Sequence, residues 1–266
     1  MDNQEKQSPN SANEKVNVFE GLDPKVRART KKMLMAFIIF AIVMLFGGFT
    51  SAYILSNIGS FWVHINAPAA LWWSNAIILV SSITLILANR SMKNGQPKQS
   101  IVFLVLTLVL GIAFTLTQQA GWAALKEKGM GYSVNLNEQG LKAYRWNSFD
   151  QITGVYGADY TISKDGQTLV ENKGELYAAD DVLLAEPLGG KIAQTTNSSS
   201  SYILVLILVH ILHLVFGLAY LVINLIRSYT GVIHPGDTVR LYTNGMYWHF
   251  LGILWVYLFA FLFLIH

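Results

Sequence analysis

Histidine is the residue type in this sequence that most invites chemistry, and there are six of them. His210 and His213 stand three apart in an apolar run, so a helix would put them on one face, and His249 lies near the start of the next apolar run. Histidines on neighbouring helices at matching depth can hold haem or a metal ion. With no cysteine in the chain, disulfides, iron–sulfur clusters and thiolate metal sites are excluded. The plainer use of such histidines is hydrogen bonding between helices or to lipid headgroups. His64 and His234 fall in short connections and His266 is the last residue, each read as an interfacial polar group.

Depth separates these uses, and depth is set by the elements that carry the histidines. Apolar residues make up 53% of the 266 and charged residues 13%, where a soluble domain carries roughly 25% charge. Five apolar runs, 34–56, 69–88, 100–118, 201–226 and 245–265, contain no Asp, Glu, Lys or Arg. Each is long enough to cross about 30 Å of hydrocarbon as a helix rising 1.5 Å per residue. The first follows a polar tail and is too long for the apolar core of a signal peptide, so it reads as a span. Spans free of ionisable carboxylates and amines lack the usual mark of a pump or channel. A net charge of +3 without a dense basic face excludes nucleic acid as a partner.

Basic residues orient the runs, because short flanks rich in Lys and Arg stay on the cytoplasmic side. Lys6, Lys15, Lys25, Arg27, Arg29, Lys31 and Lys32 precede the first run, Arg90, Lys93 and Lys98 follow the second, and Arg227 and Arg240 lie between the fourth and fifth. The connection 57–68 has none. The reading is a bacterial cytoplasmic-membrane protein with its N-terminus inside and its C-terminus outside. Counted from the cytoplasmic ends, His210 then sits about 24 Å from Ile226 and His249 about 6 Å from Gly245. Levels so different do not suit a haem held between two histidines.

Four regions follow: a cytoplasmic tail (1–33), three spans (34–118), an outer insertion (119–200) and two spans (201–266). The fold expected is an all-α membrane protein, a five-helix transmembrane bundle with a partly β insertion between helices 3 and 4. Residues 160–163 and 167–170 read as strands joined through Asp165-Gly166, a pair suited to the positive φ angles of a tight hairpin. One or two further strands fit in 174–184, and the Ser-rich 195–201 reads as a linker. Phe61, Trp62, Trp72, Trp73, Tyr247 and Trp248 suit headgroup belts at span ends. Gly47, Gly48, Ser81, Ser82, Gly111 and Gly217 suit close helix contacts.

In the last two spans the pattern becomes specific. His210-Ile-Leu-His213-Leu-Val-Phe-Gly217-Leu218 is followed by Tyr247-Trp248-His249-Phe250 and then Trp255. This pair resembles subunit III of haem-copper cytochrome c oxidases, in which a His-x-x-His helix precedes a last helix opening with Tyr-Trp-His-Phe. Weaker echoes lie at Val43 to Tyr53, Ser81 to Ala88, and Gly111 to Phe114 with Gln118 and Trp122. The resemblance covers the five spans and not the outer insertion. Three acids of that family are missing, with Ile42, Gly121 and Gly252 at their positions. Five helices correspond to the short bacterial type.

The resemblance implies a non-catalytic structural subunit of a respiratory terminal oxidase that reduces dioxygen to water with proton translocation. It implies no cofactor on this chain, with haem and copper on partner subunits. The partners implied are the catalytic haem-copper subunit, other respiratory-complex subunits and phospholipids. Motif residues for lipid or subunit contacts are His210, His213, Gly217, Tyr247, Trp248, His249, Phe250 and Trp255, with Arg227 and Arg240 beside headgroups. Two other readings stay open: an accessory subunit of a quinol oxidase or nitric oxide reductase, and a haem-binding quinone-oxidising anchor ligated by His210, His213 and His249.

Overall fold

The computed structural model describes residues 23–128, 152–193 and 198–264. Lys6 and Lys15 of the tail, insertion residues 129–151, the 194–197 part of the linker and His266 lie outside the described residues. Five helices are long and apolar enough to cross a membrane: α1 (Pro24–Asn57), α2 (Ala69–Lys93), α3 (Pro97–Glu127), α5 (Ser198–Tyr229) and α6 (Val239–Phe263). The protein is a multi-pass membrane protein. A short helix, α4 (Gly189–Ala193), precedes α5.

Helices outrun the apolar runs because a charged turn can continue a helix into water. The first begins at Pro24, behind Asp23, whose carboxylate accepts the Lys25 N–H at 2.8 Å. The third continues to Glu127, and the fourth starts at Ser198, inside the segment expected to be a linker. The last starts at Val239, six residues before the apolar run does. That early start places His249 ten residues into α6, roughly 15 Å from its first turn.

Packing follows a seven-residue rhythm that the apolar runs conceal. On α2 the buried positions include Leu71, Ser74, Ile78, Ser81, Leu85, Ala88 and Met92. On α3 they are Ser100, Leu104, Thr107, Gly111, Phe114, Gln118, Gly121 and Leu125. Alternating steps of three and four keep one seam turned to a neighbour, as in left-handed antiparallel bundles. Between hydrocarbon-bathed helices apolarity alone gives little preference for a partner, so small and polar residues fill the seam. The Ser100 hydroxyl donates to the Ala88 carbonyl at 2.8 Å, Thr84 and Thr107 share a bond of 2.8 Å, and Gln118 donates to Ser74 at 2.7 Å. These bonds form three rungs from one end of the α2–α3 hairpin to the other.

Two small sheets cap the opposite end from Arg90 and Lys93. The expected hairpin is present as β2 (Tyr160–Lys164) and β3 (Gln167–Thr168), turning at Asp165 (φ 50) and Gly166 (φ 78). A second hairpin pairs β4 (Val170–Asn172) with β5 (Glu175–Tyr177). Unforeseen is the strand β1 (Phe61–Ile65), in the connection between α1 and α2, which pairs antiparallel with β2 from Phe61↔Lys164 to Ile65↔Tyr160. Phe61 and Trp62 are therefore buried and form no headgroup belt. The Trp62 indole donates to the Tyr53 hydroxyl at 2.9 Å, tying the sheet to α1. Lys128, at the end of α3, donates to Asp159, and Asn66 donates to the carbonyls of Asp159 and Ala158 at 2.9 and 2.6 Å. The insertion is thus stitched to two separate parts of the bundle.

Trp72 and Trp73, by contrast, are exposed near the sheet end of α2, where a belt was expected. Gly47 and Gly48 face open space, so they make no close helix contact. Apolar side chains such as Phe37, Phe40, Met44 and Leu55 stand exposed along α1, a surface that suits hydrocarbon or another apolar chain and not water.

Candidate functional site

The motif residues of α5 and α6 meet on one seam, and Trp248 is its centre. This indole is fully buried, with 0% of its surface exposed. A Cβ on Gly111 of α3 would stand 2.8 Å from the ring, and one on Gly217 of α5 would meet Leu251 of α6 at 2.8 Å with Trp248 close behind. At Gly111 the ring fills the space where a side chain would be, and at Gly217 a Leu251 methyl group does. The indole N–H donates to Ser81 of α2 at 3.0 Å. One side chain therefore joins α2, α3, α5 and α6. Truncating a tryptophan packed this closely costs about 3–5 kcal/mol.

Next to it, the Tyr247 hydroxyl donates to the His213 carbonyl at 3.2 Å. His213 itself donates from Nδ1 to the Val209 carbonyl of its own helix at 2.7 Å, and its ring lies 6.0 Å from that of Phe46 on α1. His210 is buried against Trp255, ring centroids 5.4 Å apart. Trp255 is held edge-on by Phe114 at 5.9 Å and Trp122 at 6.5 Å. Gly245 lies between Asn89 of α2 and His249, a Cβ there falling 3.1 Å from the Asn89 amide nitrogen and 3.7 Å from His249 Nε2. Phe250 is half-buried at the edge of the cluster that contains Tyr247 and Leu251.

Tyr247 and Trp248 thus turn inward and are not belt residues, because α6 carries them well past its first turn. The three histidines are divided among different neighbours: Trp255 for His210, the α5 backbone and Phe46 for His213, Asn89 and Gly245 for His249. Among the described residues no group of three or more His, Asp or Glu side chains is placed to hold a metal ion. Where the family resemblance leads one to look for acids, Ile42 is buried in an apolar cluster, Gly121 lies under Leu71, and Gly252 lies against Ile78.

At the other end of the seam the cations gather. Lys32 of α1 and Lys93 of α2 both sit over the Tyr242 ring, at 4.7 and 5.7 Å from its centroid. Arg227 and Arg240 flank the short α5–α6 connection at the same end, both half-buried. Their backbone carbonyls are occupied, Arg227 by the Ile233 N–H at 3.1 Å and Arg240 by the Thr243 hydroxyl at 3.0 Å.

Ser74, Ser81, Asn89 and Gln118 are the seam residues that motif reading passed over or left without a partner. Their signal was available in the three-four spacing of small and polar residues within apolar runs. At the sheet end, burial holds the His64 imidazole below its ordinary titration range, and its Nε2 lies 2.6 Å from the Ser163 hydroxyl across β1 and β2. Asp159 is held below the usual carboxylate range by the hydrogen bond from Lys128, helped by the Val155 N–H.

No family model matches the chain. Individual proteins do. Over 188 residues the chain is 22% identical to "Cytochrome c oxidase subunit 3" of Alkalihalophilus pseudofirmus, covering 71% of this chain and 62% of that protein. It is 21% identical over 236 residues to the protein of that name from Papio hamadryas, covering 85% of this chain and 66% of that one. The protein of that name from Osphranter robustus is 21% identical over 253 residues, 91% of this chain and 72% of that one. The matches span just under two thirds of the length of the first two relatives. The chain is thus weakly similar, along most of its own length, to proteins named cytochrome c oxidase subunit 3 from a bacterium and two mammals.

Proposed function

We propose that this chain is a cofactor-free accessory subunit of a respiratory terminal oxidase, of the short five-helix bacterial type. The observation that carries the reading is the similarity to several cytochrome c oxidase subunit 3 proteins over as much as 91% of the chain. The seam supports it, since the two sequence motifs that resemble that family's pack on each other. In this reading haem and copper sit on a neighbouring catalytic subunit, which reduces dioxygen to water and translocates protons. The chain's own work is mechanical. A polar proton path in a neighbour must be shielded from hydrocarbon, and a rigid apolar bundle laid along its flank does this. The apolar face of α1 is the surface we assign to that contact or to lipid.

Orientation and lipid contact belong to the same proposal. Lys32, Lys93, Arg227 and Arg240 share one end of the bundle, which the positive-inside tendency makes cytoplasmic. There they attract anionic phospholipid headgroups. The tail (1–33) then lies inside the cell and the insertion (119–200) outside it, in a bacterial cytoplasmic membrane. Native electrophoresis of gently solubilised membranes tests the reading. This chain should migrate with a band that stains for oxidase activity and contains haem, and a haem-free position at the size of the chain or its homo-oligomer would overturn it.

A further inference from the structure

Two apolar side chains stand uncovered at the tip of a loop in the insertion. The loop joins β5 to α4, outside the spanning helices, and its Val182 and Leu183 are 89% and 88% exposed. Among the described residues no other large apolar side chain is as exposed, on the spanning helices or off them. Adjacent apolar residues left this open outside the spans mark a surface that another molecule covers.

The loop that presents them is built and not loose. Both of its ends are fixed: Ala178 packs against an apolar cluster, and Leu188 is buried in the same cluster, its N–H donating to the Leu176 carbonyl at 2.7 Å. Between these anchors the chain folds around Asp181. The Asp181 carboxylate accepts the Glu186 N–H at 2.9 Å, with the N–H groups of Ala185, Leu183 and Leu184 also directed at it. The Asp181 carbonyl accepts the Leu184 N–H at 3.1 Å. Leu184 adopts a left-handed φ of 51 and is half-buried, while the two residues before it face outward. A loop ordered in this way loses little further conformational freedom when its tip is covered.

Charge decides what covers the tip. Asp180 and Glu186 flank it and are exposed, and residues 152–193 carry seven acids against three lysines. One of those lysines, Lys191, already reaches Glu186 at 3.7 Å. Anionic headgroups repel a rim of this sign, and segments that seek a membrane surface carry Lys or Arg beside their apolar residues. An apolar pocket ringed by Lys or Arg on a protein complements both parts, because the tip fills the pocket and the acids meet the rim. We infer that the Val182–Leu183 tip is the docking point for a second, different protein that presents such a basic-rimmed apolar pocket. This contact is separate from the one assigned to α1 and does not depend on the oxidase reading.

Photo-cross-linking of the full chain in its native membranes tests this. The probe p-benzoylphenylalanine is placed at Val182 or Leu183, and an unchanged unfolding midpoint shows that each probe-bearing protein keeps its fold. On irradiation the tip should attach to one other protein, at an apolar residue with Lys or Arg beside it, several-fold more than the same probe at Glu171 on β4. The yield should fall several-fold in Asp180→Lys/Glu186→Lys, and again at about 1 M salt, where the Debye length is about 3 Å. Adducts with acyl chains alone would assign the tip to the membrane surface and overturn the proposal. Adducts only with another copy of this chain, or a yield no higher than at Glu171, would overturn it too. So would a protein adduct whose yield ignores both salt and charge reversal.

Discussion

Trp248 and Ser81 are 167 positions apart in sequence and share a buried hydrogen bond of 3.0 Å, indole N–H to hydroxyl. The bond ties the last helix to the second, and the ring that makes it is admitted by Gly111 of α3. Ser81→Ala would leave the indole N–H buried without an acceptor. We expect a loss of about 1–3 kcal/mol, read as a lowered unfolding midpoint of the purified protein in detergent. Trp248→Phe removes donor and bulk together and should cost more. In a double-mutant cycle the pair should couple by about 1 kcal/mol.

Glycine substitutions separate close packing from mere sequence resemblance. Gly111→Ala and Gly217→Ala each drive a methyl group into a contact of 2.8 Å, and overpacking of this kind costs about 1–3 kcal/mol. Gly47→Ala and Gly48→Ala meet open space on α1. They should be neutral or stabilise the helix by up to about 1 kcal/mol. Thermal unfolding of the four variants side by side checks the contrast.

Those glycines illustrate what could be read from the residues and what could not. Five spans were legible because charge is excluded from hydrocarbon, and the hairpin at Asp165-Gly166 because few residues tolerate its φ angles. The strand at 61–65 was not legible, since its partner lies about a hundred positions away and Phe61-Trp62 alone looks like an interfacial belt. Trp248 misled for a related reason. Arg240, Thr243 and Asn244 make the first turns of α6 polar, so the apolar run begins late and puts Tyr247-Trp248 at an apparent membrane edge. Periodicity of buried residues corrects this, because Leu241, Asn244, Trp248 and Trp255 fall on one face.

The sheet of β1, β2 and β3 should loosen in two stages as pH falls. His64 is held below its ordinary value by burial, so its contribution is complete above the unfolded value of about 6.5 and declines as pH falls from there toward the folded value. Asp159 is held below its ordinary value chiefly by Lys128. Its contribution is complete above about 3.9 and is lost as pH falls through the lower folded value. Hydrogen exchange in 60–65 and 160–164 should accelerate beyond the intrinsic pH trend in both windows. In His64→Gln the upper stage should vanish, and in Asp159→Asn the lower one.

Since the chain contains no cysteine, single introduced thiols report sidedness without background. A membrane-impermeant maleimide applied to intact cells should label Lys173→Cys and Asp180→Cys, in the sheet-bearing insertion. Asn94→Cys and Asp237→Cys, at the end where Lys93 and Arg240 lie, should be labelled only after lysis. The reverse pattern would invert the proposed orientation.

Lipid retention tests the cationic end. Replacing Arg227 and Arg240 together by Gln should reduce the anionic phospholipid that co-purifies, measured by mass spectrometry of extracted lipid, while the unfolding midpoint changes little. Unchanged lipid content would remove these two residues from the headgroup site.

The central claim is that this chain is a cofactor-free partner of a haem-bearing oxidase. Affinity purification of the tagged chain in mild detergent, analysed by protein mass spectrometry and a reduced-minus-oxidised spectrum, addresses it most directly. The account predicts that catalytic oxidase subunits co-purify with haem absorbance, and that the absorbance stays with them when this chain is dissociated. Recovery of this chain alone as a homo-oligomer, or a haem spectrum that remains with the isolated chain, would contradict it.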